Sequence, residues 1–349
     1  MPDKLNTKRW KSVFTMVTFV ALLGTAYALR AQIAETIRNL QHANLWLVAF
    51  VVPLAGCNHY FQGKLYQGLF RILGERFRTT SMMRLSLELN LVNNVFPSAG
   101  VSGFSYLSIR MKGEKVSTAT ATMVQIMRFS LLFVSFQVLL LVGLLFLAFA
   151  GNANDFVLLV AGALATLLLV GTGISIFIIS SRQRINGFFT WFTRIINRLI
   201  YIFRHKHPET INIERAREVF DELHENYKRV RLNLKALQRP LLAALAANIT
   251  EVTAIYSVFV AFGHFINPGA VIIAYAVANF AGLVSVLPGG VGIYEGLMTG
   301  VFATAGVSAA LSLPVIVAFR IISMVSQLPV GYYFYQQALH YNPPLEHGE

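Results

Sequence analysis

The sequence predicts an all-α polytopic membrane protein built from inverted repeats with two re-entrant broken-helix hairpins. Three observations predict this fold class. The chain of 349 residues is 55% hydrophobic and only 13% charged, with a mean hydropathy of +0.58, a composition typical of membrane-spanning chains. Two of its apolar stretches are interrupted by proline and glycine. Landmark residues also recur at nearly equal spacing in the two halves of the chain.

The clearest interruption is the sequence LPGGVGIYE at residues 287–295, which lies inside the apolar stretch 270–310. Pro288, Gly289 and Gly290 prevent one continuous helix from passing through it. A similar interruption, FPSAGVSG, lies at residues 96–103. Irregular backbone at membrane depth is tolerated only where protein or a water-filled cavity satisfies its polar groups. Each break is therefore expected to line a site.

The order of apolar and basic stretches predicts the topology. Six spans are expected, at residues 13–29, 44–62, 116–150, 156–180, 241–265 and 311–340. The first is either an uncleaved span, which we favour, or a cleaved signal sequence. The broken stretch 81–109 has basic flanks and is expected to enter from inside, whereas 268–306 has neither Lys nor Arg at its flanks and is expected to enter from outside. Hairpins that cross fully would raise the number of transmembrane segments to eight.

Basic residues indicate which side is cytoplasmic. Lys64, Arg71, Arg76 and Arg78 are expected in the loop after the second span, and 13 of the 29 Lys and Arg residues lie between positions 182 and 239. This distribution follows the positive-inside rule. It predicts a multi-pass protein of a bacterial or archaeal cytoplasmic membrane with both termini in the cytoplasm. The net charge of +13 is therefore assigned to topology and lipid headgroups, and no nucleic-acid partner is expected.

Residues 182–239 are predicted to form cytoplasmic amphipathic helices. Apolar residues in this segment recur with helical spacing on one face. They are Ala216, Phe220, Leu223, Tyr227, Val230, Leu234 and Leu237. The helices are expected either to form a cytoplasmic hairpin or to lie on the membrane surface.

The two breaks belong to a predicted inverted repeat. Pro97 precedes Arg128 by 31 residues, and Pro288 precedes Arg320 by 32. Upstream, Asn58 precedes Pro97 by 39 residues, and Asn248 precedes Pro288 by 40. The single membrane domain is accordingly divided into repeat one (about 44–150), a linker span (156–180), the amphipathic segment (182–239) and repeat two (about 240–340). Inverted repeats with interrupted helices are typical of transporters.

Charged residues at predicted mid-bilayer depth are the main site candidates. Arg128, Arg320 and Glu251 each lie roughly 15–18 Å into a predicted span at 1.5 Å per residue, and charges at that depth face the protein interior and are paired. In one interpretation the arginines form salt bridges with Glu88, Glu251 or Glu295. In the other they bind an anionic headgroup together with N–H groups at helix starts. The predicted substrate-binding residues are Arg128, Arg320, Glu295, Glu251, Asn94, Asn90, Gly289, Gly290, Asn279 and Glu88.

Several of these residues also have ordinary structural explanations. Glu295 follows the glycines closely and would suit the first turn of a helix as a dipole partner. Glu251 is a candidate for carrying a coupling proton. The asparagines are suited to hydrogen bonds between helices, and His59, beside Tyr60, is expected to pack near the membrane interface.

Other chemistries find little support in the sequence. Cys57 is the single cysteine, the segment starting at His224 lacks the second histidine of an HExxH motif, and no GxxxxGK[ST] motif occurs. No catalytic residue, metal or cofactor is therefore expected.

The sequence resembles the transmembrane domain of lysylphosphatidylglycerol synthases, which also occurs as stand-alone flippase-like membrane proteins. The resemblance rests on the Asn-rich break at residues 90–103, the PGGVGIYEG stretch at 288–296 and the late Arg320. It implies a lipid translocase. The large soluble aminoacyltransferase domain of the synthases is absent from this sequence, so synthesis of the lipid is not expected.

Three functions are compared. The first is a flippase that moves an anionic or lipid-linked headgroup, of aminoacyl-phospholipid, hopanoid or polyprenyl-linked type, between leaflets. The second is a membrane-embedded lipid headgroup transferase, and the third is a non-catalytic partner of a separately encoded lipid-modifying enzyme. Because the outer loops offer few acidic residues for a general base, a transporter is favoured over an enzyme, with membrane lipids as its partners.

Overall fold

The computed structural model describes residues 44–95, 101–149, 213–284, 292–341 and 345–346, with single residues between 16 and 43 and single residues or short runs between 162 and 191. Every regular element in this part of the chain is helical, which confirms the all-α class. The helices are α1 (Leu45–Ala49), α2 (Val51–Ile72), α3 (Thr79–Val95), α4 (Val101–Lys112), α5 (Thr118–Phe149), α6 (Ile213–Leu232), α7 (Gln238–Ala261), α8 (Pro268–Val284), α9 (Ile293–Thr304) and α10 (Ala309–Tyr341). A short 3-10 turn, Leu234–Leu237, precedes α7.

Three of the described helical segments are long and apolar enough to cross a membrane. They are Thr118–Phe149, Leu234–Ala261 and Ala309–His340, and they coincide with the predicted spans 116–150, 241–265 and 311–340. The predicted spans 13–29 and 156–180 lie outside the continuously described residues. The total number of spans and the orientation of the termini stay predictions.

The predicted span 44–62 differs from the structure. After Asn44 caps α1, helix α2 begins at Val51 and continues to Ile72. Lys64 and Arg71 therefore lie on the helix and not in the following loop. The helix continues because Leu65, Tyr66, Leu69 and Phe70, all at most 1% exposed, form a buried face with helical spacing through its second half.

Helices end and begin around both predicted breaks. Helix α3 ends at Val95 and α4 begins at Val101, while α8 ends at Val284 and α9 begins at Ile293. The intervening residues 96–100 and 285–291, including Gly289 and Gly290, lie outside the described residues. At 1.5 Å per residue, each of these four helices is at most about 26 Å long, shorter than the roughly 30 Å hydrocarbon core.

The two predicted repeats contain helices of matching length. Helices α2, α3, α4 and α5 have 22, 17, 12 and 32 residues, and α7, α8, α9 and α10 have 24, 17, 12 and 33. Their packing is also reciprocal: α8 of the second group lies against α5 of the first, and α3 of the first lies against α10 of the second. Helices α2 and α7 form the most extensive contact. A twofold relation between the groups would produce these features.

Glycines allow the closest helix contacts. A Cβ on Gly269 of α8 would lie 2.4 Å from the Gly143 carbonyl oxygen of α5, and one on Gly331 of α10 would lie 2.7 Å from the Leu87 carbonyl oxygen of α3. Small residues at such contacts let helix backbones approach each other in a membrane protein. Glycine therefore sets the distance in both reciprocal pairs, α5 with α8 and α3 with α10.

Helix α6 packs against the start of α5. Leu223 and Val230 of the predicted stripe are 1% and 6% exposed, and the Ser117 hydroxyl at the start of α5 donates to Glu222. The stripe is wrong at Leu234, which is 60% exposed. Helix α6 ends at Leu232 because Asn233 leaves helical geometry at φ −133°, and the following 3-10 turn no longer continues the angular register of the stripe.

The last described residues hold the ends of α3 and α4 together. We call Leu345 and Glu346 the C-terminal clasp. The Leu345 N–H donates to Glu114 Oε1 at 2.9 Å, and the Glu346 N–H donates to Ser81 Oγ at 3.0 Å. The Arg78 N–H in turn donates to the Glu346 carbonyl at 2.8 Å. The Leu345 side chain is only 5% exposed, so the clasp combines apolar burial with hydrogen bonds.

Truncating the clasp should destabilise the protein. We expect Leu345→Ala to lower the free energy of unfolding by about 2 kcal/mol, because a buried leucine loses its contacts and leaves a cavity. Thermal unfolding of purified protein in detergent would measure this loss. Leu232→Ala is the matched control, since Leu232 is 88% exposed and its truncation should change stability by no more than about 0.5 kcal/mol. Equal unfolding temperatures for the two variants would contradict the claim that the C-terminal clasp stabilises the protein.

Candidate functional site

Glu295 and Arg320 form a buried ion pair at the second break. Gly292 adopts φ 86°, and Glu295 lies in the first turn of α9. Its Oε2 accepts the Gly292 N–H at 2.7 Å, and its Oε1 lies 2.5 Å from Arg320 Nη1. Both side chains are about 10% exposed or less. The carboxylate therefore caps the helix and neutralises Arg320, which combines the helix-dipole and salt-bridge interpretations.

Further predicted residues surround this ion pair. The Arg320 guanidinium lies 4.9 Å from the centre of the Tyr294 ring, and Asn279 of α8 lies beside the Tyr294 hydroxyl. Glu251 of α7 is close enough to act electrostatically on the hydroxyls of Tyr275 and Tyr294. Residues from α7, α8, α9 and α10 thus form one polar cluster, which contains Arg320, Glu295, Glu251 and Asn279 of the predicted set.

Arg128 has a different environment. Its guanidinium donates to Gln62 Oε1 of α2 at 3.3 Å from Nη2 and 3.4 Å from Nε. It also lies 5.3 Å from the Tyr66 ring centre and 5.5 Å from that of Phe129. Within the described part of the chain, no carboxylate lies at ion-pair distance from Arg128. The salt-bridge interpretation is therefore wrong for this arginine among the described residues.

Glu88 belongs to another ion pair. Its Oε2 accepts the Tyr106 hydroxyl at 2.8 Å and lies 3.7 Å from Arg110 Nε. Arg110 also binds Glu114, with Nη1 at 3.0 Å from Oε1. Arg110 belongs to the basic flank that follows the predicted hairpin 81–109, where an exposed side chain is expected, but its side chain is only 4% exposed. Glu114, four residues later on the chain, is the sequence feature that could have indicated a paired arginine.

Asn90 and Asn94 lie in a hydrogen-bonded chain across three helices. Asn94 Nδ2 donates to Asn90 Oδ1 at 2.9 Å, and Asn90 Nδ2 donates to Gln327 Oε1 of α10 at 3.0 Å. His59 of α2 lies 3.0 Å from the same Gln327 oxygen through Nε2 and 2.9 Å from Ser86 Oγ through Nδ1. These bonds match the expected role of asparagines between helices. His59 is only 6% exposed, and its polar partners were missed.

The predicted site residues therefore occupy separate environments. Arg320, Glu295, Glu251 and Asn279 lie together, Asn90 and Asn94 lie in the chain with His59, and Glu88 lies with Arg110. Arg128 lies with Gln62 and Tyr66. The eight of them that the structure describes all lie on helices that border a break or that pack against such a helix.

Long apolar helices, paired breaks and buried polar clusters define a polytopic helical membrane protein. The family model described as the lysylphosphatidylglycerol synthase TM region matches residues 12–331, and the chain belongs to this family. Two similar proteins are UPF0104 membrane proteins of Methanothermobacter thermautotrophicus. One is 35% identical over 108 residues, 31% of this chain and 32% of the relative. The other is 26% identical over 252 residues, 69% of this chain and 70% of the relative.

Proposed function

We propose that this protein is a lipid translocase that moves a lipid with an anionic or lipid-linked headgroup between membrane leaflets. It acts as a transporter and not as an enzyme, in a cytoplasmic membrane with both termini in the cytoplasm. Membership of the lysylphosphatidylglycerol synthase TM region family is consistent with lipids as its partners. Aminoacyl-phospholipids and polyprenyl-linked sugars carry the phosphate that the proposal requires, whereas a hopanoid would need an added anionic group.

The observation that carries the proposal is the environment of Arg128. At 1.5 Å per residue this arginine lies about 15 Å into α5, and its described partners are the Gln62 amide and two aromatic rings. A guanidinium at membrane depth is costly unless an anion or polar groups stabilise it. A lipid phosphate could supply the missing negative charge through bidentate hydrogen bonds. Arg320 already has Glu295, so Arg128 is the better candidate for the substrate anion.

The helix arrangement supports a transport cycle. The helices of the two broken stretches, α3 with α4 and α8 with α9, have matching lengths. Helix α3 packs against α10, the long helix of the other group, and α8 packs against α5 in the same way. In transporters with inverted repeats, the interrupted helices surround the substrate and one repeat moves against the other. The headgroup would enter beside the breaks while the acyl chains remain in lipid. Both hairpins are proposed to be re-entrant.

Transport of a fluorescent anionic phospholipid in proteoliposomes tests this function. We expect the wild-type protein to move the lipid and Arg128→Gln to reduce the rate at least tenfold, because glutamine keeps a polar contact but removes the charge. Arg128→Lys should retain part of the rate, since lysine binds phosphate as a point charge. The assay follows accessibility of the fluorophore to an added quencher.

Arg71→Gln is the matched control, because Arg71 is an exposed arginine on α2 and its loss should leave transport unchanged. All variants are first compared by thermal unfolding, so that a folding defect is separated from a transport defect. An Arg128→Gln protein that is folded and moves lipid at the wild-type rate would remove Arg128 from the mechanism. A wild-type protein that moves no anionic lipid would contradict the proposed function.

A further inference from the structure

The hydrogen-bonded chain through His59 has a defined direction. Asn94 Nδ2 donates to the backbone carbonyl of Asn90 at 2.9 Å as well as to its Oδ1. Since a carbonyl only accepts, this pair fixes the orientation of the Asn94 amide and then of the Asn90 amide. Asn90 Nδ2 must therefore donate to Gln327, whose Oε1 is the acceptor. The polar chain runs from the edge of the first break towards α10.

The Gln327 oxygen also fixes the state of His59. Because Oε1 accepts, His59 Nε2 at 3.0 Å must carry a hydrogen. The second ring nitrogen, Nδ1, lies 2.9 Å from Ser86 Oγ. In neutral His59 this nitrogen has no hydrogen, and it accepts the Ser86 hydroxyl.

The Ser86 hydroxyl has a second acceptor within hydrogen-bond distance. Its Oγ lies 2.9 Å from the Met83 carbonyl oxygen one helical turn earlier. When Nδ1 gains a proton, it donates to Ser86 Oγ, and the hydroxyl turns to the Met83 carbonyl. The imidazole of His59 therefore keeps both of its hydrogen bonds in either charge state, which avoids the desolvation cost of an unpaired buried nitrogen.

We propose that His59 is a proton-binding site that couples protonation to lipid movement. The proton comes from the aqueous phase, forms the Nδ1–H bond, and returns to water when that bond breaks; no other bond changes. The site joins the predicted repeats, since α2 and α3 belong to one and Gln327 on α10 to the other. A movement of one repeat against the other would break the Nε2–Gln327 bond. The coupling rests on the proposed lipid translocation, whereas the proton site stands on its own geometry.

Charged groups on the elements packed against α2 make their described bonds elsewhere. Arg84 lies over the Phe334 ring, Glu88 binds Tyr106 and Arg110, Arg128 binds Gln62, and Arg320 binds Glu295. On α2 itself, Lys64 lies over the Tyr60 ring. The other described ionisable side chains on α2 and these elements are Cys57, Tyr66, Arg71, Lys235, Arg239, Glu251, Tyr256, Tyr332, Tyr333, Tyr335 and His340. None of these groups is bonded to His59 in the described part of the chain, so Ser86 and Gln327 are the groups that respond first to its charge.

Nitrogen-15 NMR of protein labelled at histidine, in detergent micelles or lipid nanodiscs, tests the proton site directly. We expect one ring-nitrogen signal that titrates with pH and is absent from His59→Gln. Ser86→Ala should lower the midpoint of that signal by about one pH unit, because a hydrogen bond to a charged group is lost. Ser130→Ala is the matched control, since its hydroxyl donates to Ile126 within α5, and it should leave the midpoint unchanged.

A His59 signal that does not titrate, or a midpoint that is the same in Ser86→Ala and wild type, would overturn the proton site. The coupling is measured separately in proteoliposomes with a pH difference across the membrane. We expect the pH difference to change the wild-type rate severalfold and to have no effect on His59→Gln. Wild-type transport with an equal pH response in His59→Gln would overturn the coupling and leave the translocase standing. Titration of His59 without any lipid transport would support the proton site while the proposed function fails.

Discussion

Replacing Glu295 with glutamine should lower the free energy of unfolding by about 3–5 kcal/mol, the range measured when one partner of a buried ion pair is removed. The amide can still accept the Gly292 N–H that the carboxylate now accepts at 2.7 Å, so the cap is largely kept. The loss therefore reports the bond of 2.5 Å to Arg320. Thermal or denaturant unfolding of the purified protein in detergent would measure it.

A double variant separates the pair from its parts. Glu295→Gln combined with Arg320→Met should recover much of the stability, because the uncompensated buried charge is gone. Glu225→Gln is the matched control, since Glu225 pairs with Lys228 at 3.0 Å with about half of each side chain exposed. Its effect should stay within about 1 kcal/mol. A Glu295→Gln protein as stable as Glu225→Gln would show that the pair does not stabilise the break.

Two glycine substitutions should have effects of opposite sign. A Cβ on Gly331 would lie 2.7 Å from the Leu87 carbonyl oxygen of α3, and backbone cannot move aside as a side chain can. We expect Gly331→Ala to cost about 3 kcal/mol, the upper part of the range for overpacked contacts. The same change at Gly300 of α9 meets nothing within 4 Å and should stabilise the helix by about 0.5–1 kcal/mol.

Unfolding temperatures of the two variants in the same detergent measure this difference. Both residues lie inside helices, so helix propensity alone predicts a gain in both. A gain at Gly331 would show that α3 and α10 are not held at the close distance seen here. A loss at Gly300 would indicate that this face of α9 contacts another part of the chain.

Local chemistry made several features predictable. Proline and glycine placed the two helix breaks, and the position of Glu295 after Gly292 indicated a helix start. Partners distant in the sequence were not predictable in this way. His59 and Gln327 are separated by 268 residues. The sequence around His59 does not distinguish a histidine with two hydrogen-bond partners from one that only packs against its neighbours. Arg110 follows the stretch 81–109 together with Lys112 and Lys115, so its sequence neighbours indicate an exposed basic flank and not a buried ion pair.

Boundaries failed for a related reason. Helix α2 continues to Ile72 because tertiary burial of Tyr66 and Phe70 outweighs the basic residues that suggested a loop. Leu234 fitted the helical spacing, but the chain leaves the helix at Asn233 and exposes it. The division into repeats and the re-entrant path of the hairpins stay predictions.

The reciprocal packing of α3 with α10 and of α5 with α8 has a consequence for biosynthesis. Helix α3 is synthesised before α10, the helix that supplies the surface it packs against. Until α10 is made, Leu87 and Leu91 of α3 lack the contact with Gly331 that they have in the folded protein. The contact between α3 and α10 can therefore form only after α10 has been synthesised, so this part of the fold is completed late.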